Sequence, residues 1–212
     1  MPDHVAPFNP DRPAGPALWR RVGRLAALLG AGVLLGCVSA WWQIRPAAGL
    51  GDAAGPWRVS LLAGSADADA VTRARVALGG LLALNRAETM YYVAGTDSTG
   101  QPLRSRCRYR IEGLPPPARW WSLTAYAEDF FLFADDAGRY SMNSGTARLD
   151  AQGRFTAHTG PQGPVEPGTA WLPTPGDRGL LLTLRVYNPA PALQADPTSL
   201  VAPTIHRVGG CR

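Results

Sequence analysis

The residues best placed to do chemistry lie between positions 103 and 111. There Leu103, Ser105, Cys107, Tyr109 and Ile111 alternate with Arg104, Arg106, Arg108 and Arg110. A period of two is the period of a strand, so the four guanidinium groups would share one face at intervals of about 6–7 Å. Such a row can hold a polyanion, phospholipid head groups or an acidic partner, because the planar arginine fork matches carboxylate and phosphate. The plainer account is a solvated sheet face with acids such as Glu128 and Asp129 on neighbouring strands. Like charges on one face repel unless paired, so both accounts require partners.

A second group is aromatic. Trp120, Trp121, Tyr126, Phe130 and Phe131 surround a turn, with Arg119, Arg139 and Arg185 expected close by. At strand spacing one tryptophan faces the core and its neighbour faces out. Trp121 is assigned to the core. Trp120 either lies under a loop or forms a platform for a sugar or lipid. Arg185, on a strand with Tyr187, is either a structural arginine paired to an acid or an anion anchor. The ligand-binding candidates are therefore Arg104, Arg106, Arg108, Arg110, Trp120, Arg139 and Arg185.

Catalytic signatures are missing. The chain has no HExxH, no GxSxG, no P-loop and no GxGxxG after a strand. His158 and His206 are the histidines beyond the first 45 residues, fewer than the three or four ligands that a zinc site takes. No catalytic residue, metal or cofactor is assigned. A hydrolase or carbohydrate-active enzyme stands as an alternative on fold analogy alone.

These side chains need elements to hold them. Strands are expected at 57–62, 103–111, 120–126, 130–134, 154–158 and 180–187. One helix is expected over Asp67–Asn85, started by Ser65 or Asp67. Asp97–Gly100, Asp135–Gly138 and Asp150–Gly153 read as turns. Short strands with such punctuation predict a mainly β domain, an antiparallel sandwich or barrel with one helix.

Ahead of this domain, residues 1–24 read as a polar, Pro-rich cytoplasmic tail. Leu25–Ile44 is an uncharged apolar run of 20 residues, the length of a transmembrane helix. Arg20, Arg21 and Arg24 precede it and Arg45 follows, with Trp41 and Trp42 at the far end. This predicts the N-terminus inside and a single pass through the inner membrane. A linker and short strand over 45–64 would then lead to a periplasmic domain over 65–212. Cleavage after Ala40, or lipidation at Cys37, are the competing fates. Gly32 and Gly36 form a GxxxG, which leaves a homo-oligomer open. Every basic residue among the 21 Lys+Arg is arginine, and residues 46–212 carry 16 of them against 14 acids. That balance argues against a nucleic-acid partner. Cys107 and Cys211, an even pair in an exported domain, predict a disulfide. Closing a loop of about 100 residues would contribute roughly 4.7 kcal/mol on the chain-entropy account.

Residues 88–208 also resemble the bacterial family catalogued as domain of unknown function 1214. The likeness is carried by Asp97, Gly100, Leu103, Tyr109, Trp121–Tyr126, Arg139-Tyr140-Ser141, Trp171-Leu172-Pro173, Leu182–Pro189 and Pro203-Thr204-Ile205. One departure is Ala134-Asp135-Asp136, where the family usually has an Asn-containing loop. The resemblance implies a jelly-roll-like β-sandwich and a companion protein with the domain of unknown function 1254. It assigns no catalytic residues. The chain thus reads as a membrane-anchored envelope module that binds a partner or ligand.

Overall fold

A computed structural model describes residues 16–44, 52–59, 64–78, 84–163 and 169–211. The chain forms two units, Met1–Arg45 and Pro46–Arg212.

The described residues of the first unit form one helix, α1 (Pro16–Ile44). It begins nine residues before the apolar run, so residues 16–24, expected as tail, are helical. Pro16 suits a first helical position because its missing N–H would have no partner there. Leu18–Gln43, 26 residues with no buried surface, is long and apolar enough to cross a membrane.

The second unit is mainly β. Its elements are β1 (Asp52–Ala54), β2 (Trp57–Val59), α2 (Ala70–Leu78), β3 (Thr89–Ala94), β4 (Arg108–Gly113), β5 (Ala118–Ala127), β6 (Ser141–Asn143), β7 (Phe155–Gly160), β8 (Ala170–Pro173), β9 (Leu180–Pro189), α3 (Pro191–Ala195) and β10 (Thr204–Gly209). They build a six-stranded sheet, β1-β2-β3-β9-β5-β6, and a four-stranded sheet, β10-β4-β7-β8. Alternation sorts each strand into two faces. Tyr92, Leu184, Leu123 and Met142 stand in register across the large sheet. Ile205, Ile111 and Ala157 do so across the small one. All seven belong to one buried core, in which Trp121 stacks on Phe155 at 4.7 Å.

The three predicted turns share one construction. Gly100, Gly138 and Gly153 donate their N–H to the carbonyls of Asp97, Asp135 and Asp150. Each glycine has φ between 67° and 84°, a left-handed conformation costly for other residues. Each aspartate also accepts backbone N–H groups through its side chain.

The disulfide joins Cys107 to Cys211 across 104 residues, with Cα atoms 4.3 Å apart. Further bonds seat the C-terminal strand. Trp57 Nε1 donates to the Pro203 carbonyl at 2.7 Å, Ile205 N–H to Ser98 Oγ at 2.9 Å, and Arg207 reaches Asp97 at 3.7 Å.

Four boundaries differ from the sequence reading. The burial alternation from Leu103 to Gly113 is unbroken, but the ladder begins at Arg108. Residues 104–107 instead form a turn closed by Cys107 N–H to the Arg104 carbonyl. Phe130–Ala134 is not a strand. Phe130 has φ 63°, and Leu132 alone bridges back to Tyr126, because the chain reverses there. The helix α2 starts at Ala70, where Asp69 Oδ1 accepts the Thr72 N–H at 2.7 Å and so does the capping expected of Ser65 or Asp67. It ends in the description at Leu78, and residues 79–83 lie outside the described residues. Finally, β2 falls on the short strand expected from Trp57, and β1 extends the sheet into the segment expected as linker. β7 and β8 run parallel, where a wholly antiparallel arrangement was expected.

Candidate functional site

The outer face of the six-stranded sheet carries the residues that alternate with its core. Register places Tyr91, Arg185 and Ser122 in one row, and Thr89, Tyr187 and Trp120 in the next. Arg185 lies between two tyrosines. Its guanidinium carbon is 5.3 Å from the Tyr126 ring centroid and 5.9 Å from that of Tyr91, both within cation–π range. Its Nη2 donates to Tyr126 Oη at 2.7 Å and its Nη1 to Thr124 Oγ1 at 3.2 Å. No carboxylate among the described residues forms an ion pair with it. The acid that the structural account of Arg185 expects is thus not found among the described residues.

Two consequences follow for this face. Burial pushes the Tyr91 hydroxyl above its usual range, Tyr187 adds to the rise, and Arg185 opposes it. At neutral pH Tyr91 therefore stays protonated and supplies no charge opposite Arg185. Beside this arginine, Trp120 is 38% exposed and meets Tyr187 edge-on at 5.0 Å. A diagonal cross-strand neighbour stands about 7–8 Å away, so a single ligand of a few ångströms could touch Arg185 and Trp120 together. Thr89 and Thr183, both buried on this same face, have hydroxyls with no hydrogen-bond partner among the described residues.

The other sequence candidates are scattered. Arg106 pairs with Asp177 at 2.9 Å and Arg110 with Glu112 at 3.3 Å. Arg108 donates to Gln162 at 3.1 Å. Arg104 is exposed at the bridge to Gly179. Only Arg108 and Arg110 share the strand β4, so the row is two residues rather than four. Of the acids expected to answer it, Asp129 pairs with Arg178, and Glu128 lies against Gly179, the residue that bridges to Arg104. Arg139 is clamped by Asp135 through two side-chain bonds of 2.7 and 3.1 Å, and stacks at 4.6 Å over Trp171. The same clamp holds the Asp135 carboxyl at about 2.

Sequence reasoning missed two things. Tyr91 and Thr124 come to Arg185 from strands far away in the chain, and only the register brings them there. A separate cleft of about 550 Å³ opens beside β7, lined by Arg148 and Arg154. Its sequence signal is the pair of arginines that flank the Asp150–Gly153 turn.

Among the described residues no group of three or more His, Cys, Asp or Glu is placed to hold a metal. What the geometry defines is a mainly β domain with an arginine–aromatic face, carried in a chain with an apolar N-terminal helix. Residues 88–191 match the family described as a protein of unknown function, DUF1214, so the family resemblance read from the sequence holds over this segment. A crystal structure of a protein from Vibrio parahaemolyticus is similar, at 25% identity and a TM-score of 0.53. The match covers 67% of this chain and 36% of that one, so this chain spans about a third of the length of the Vibrio protein. An uncharacterized protein from Burkholderia cenocepacia aligns at 13% identity and a TM-score of 0.36, over 59% of this chain and 31% of that one. A search of curated proteins found no match.

Proposed function

We propose that the protein is a membrane-anchored module of the cell envelope, with its β domain on the periplasmic side of the inner membrane. On this reading the outer face of the six-stranded sheet binds a ligand, or a partner segment, that carries a carboxylate. The observation that carries the proposal is Arg185, a half-buried cation held between two tyrosines with no ion-pair partner among the described residues. A charge withdrawn from water is retained at a cost unless something pairs with it, and a planar guanidinium matches a carboxylate through two parallel bonds. The exposed Trp120 beside it adds an apolar surface for a sugar ring or an aliphatic stem.

The anchor reading rests on Leu18–Gln43 and on the three arginines ahead of Leu25. An acidic segment of a companion protein with the domain of unknown function 1254 is the protein partner that fits this reading.

The test is a calorimetric titration of the full chain in mild detergent with glucuronate, glucose and a hexaglutamate peptide. Saturable binding of glucuronate or the peptide, absent for glucose and lost in Arg185→Met, is the expected result. Equal responses to glucuronate and glucose would refute the carboxylate site, as would equal responses of the two proteins.

A further inference from the structure

The cleft beside β7 is independent of the Arg185 face. Thr156 projects from the outer side of β7, since its neighbours Phe155 and Ala157 belong to the core. Leu149 bridges to Phe155, so the hairpin with Asp150–Gly153 at its tip brings Arg148 and Arg154 to the same cleft. Thr146 and Thr169 complete its polar wall. Behind Thr169 lies His158, 3% exposed, whose Nδ1 is 3.2 Å from the Thr169 hydroxyl.

The charges do not cancel. Arg148 and Arg154 make no ion pair among the described residues. Among the described residues Asp150 is the one acid in the lining, and its Oδ1 accepts the N–H groups of Gln152 and Arg154 at 2.9 and 2.8 Å. The nearest acid on β4, Glu112, stands opposite Thr156 and is taken by Arg110. Two guanidinium groups thus face one carboxylate already engaged in the turn, across a volume of about 550 Å³. That volume is within the usual range of small-ligand sites and far larger than a bare oxyanion requires.

We infer that this cleft binds a phosphoryl-bearing ligand of about the size of a hexose phosphate. The phosphoryl group would sit on Arg148 and Arg154. Two guanidiniums match its two charges and several acceptor oxygens, where the single fork of Arg185 matches a carboxylate. The threonine hydroxyls, and the Asp150 oxygen not engaged in the turn, suit the hydroxyls of the carrier. The group could come from a soluble sugar phosphate or from a lipid head group.

The experiment titrates the full chain in a neutral detergent with glucose 6-phosphate, dihexanoyl phosphatidic acid, inorganic phosphate and glucose. It follows binding in wild type, Arg148→Gln, Arg154→Gln, the double variant and Arg185→Met. Both cleft arginines are exposed, so their replacement leaves the core intact, and a thermal melt checks this. The expected result is saturable binding of at least one organic phosphate, with no binding of glucose. Each single variant weakens it at least tenfold, the double variant abolishes it, and Arg185→Met leaves it unchanged. Tighter binding of the sugar phosphate identifies a soluble source, and tighter binding of the lipid identifies a head group. Two results would overturn the inference: no saturable binding of any phosphate, or binding that survives in the folded double variant. Loss of carboxylate binding in Arg185→Met alone would bear on the other face and leave this cleft untouched.

Discussion

At the scale of single residues, Arg185 and Asp97 illustrate opposite uses of a buried charge. Arg185 has hydrogen bonds but no counter-charge among the described residues, so Arg185→Met should leave the melting temperature within a few degrees while removing carboxylate binding. An interaction of that kind accounts for about 2–5 kcal/mol, or 30-fold and more in affinity. Asp97 is structural. Its Oδ1 accepts from the Thr99 N–H, the Thr99 hydroxyl and the Gln101 N–H at 2.6 to 3.0 Å. Burial alone would raise its carboxyl, but these bonds outweigh burial, Arg207 adds to them, and the net displacement is downward. A carboxyl depressed by folding stabilises above its unfolded value and loses that contribution as pH falls through the folded one. Thermal melts from pH 6 to pH 2 should therefore show wild type losing stability below about pH 4. Asp97→Ala should be about 1–3 kcal/mol less stable at neutral pH, with a flatter acid profile. A parallel acid limb in the variant would assign the loss to other groups. The turn aspartates were legible in the sequence because the hydrogen bonds that build each turn reach residues at most four positions away. The surroundings of Arg185 were not, because Tyr91 and Tyr126 reach it only through strand register, which no local pattern encodes.

At the scale of elements, period-two alternation gave the right faces even where it gave the wrong element. It separated Trp121 from Trp120, and it placed Leu103, Ser105 and Cys107 inside although the chain there turns rather than pairs. It failed at Phe130–Ala134, since a short apolar run bears no mark of the left-handed Phe130 that reverses the chain. Close contact between elements yields a further prediction. A Cβ on Gly113 would stand 2.9 Å from the Pro203 Cα, which is backbone and cannot swing aside. Gly113→Ala should cost about 1–3 kcal/mol by forcing β4 away from the segment that leads into β10, read as a lowered denaturation midpoint. The disulfide acts on the same strand. Cys107→Ser with Cys211→Ser should cost about 2–5 kcal/mol. Amide exchange should rise first at residues 208–210, because Ile205 and Arg207 keep their contacts to Ser98 and Asp97. Uniform exchange across β4 and β10 would contradict that order.

At the scale of the whole molecule, composition and the single apolar run made the long apolar N-terminal helix and the mainly β class readable. The pairing of strands into two sheets needed the structure. If α1 spans the membrane, the full chain should resist alkaline carbonate extraction, and protease added to spheroplasts should reach the β domain while intact cells protect it. Release by carbonate would place the helix elsewhere. The central claim is that the Arg185 face is an occupied binding surface in the cell. Its most direct test is native mass spectrometry of the full chain, isolated in mild detergent from its own membranes beside the Arg185→Met variant. The account predicts an additional bound mass on wild type, whether a small molecule or a partner protein, that is missing from the variant. The same bound species on both proteins, or none on either, would contradict it.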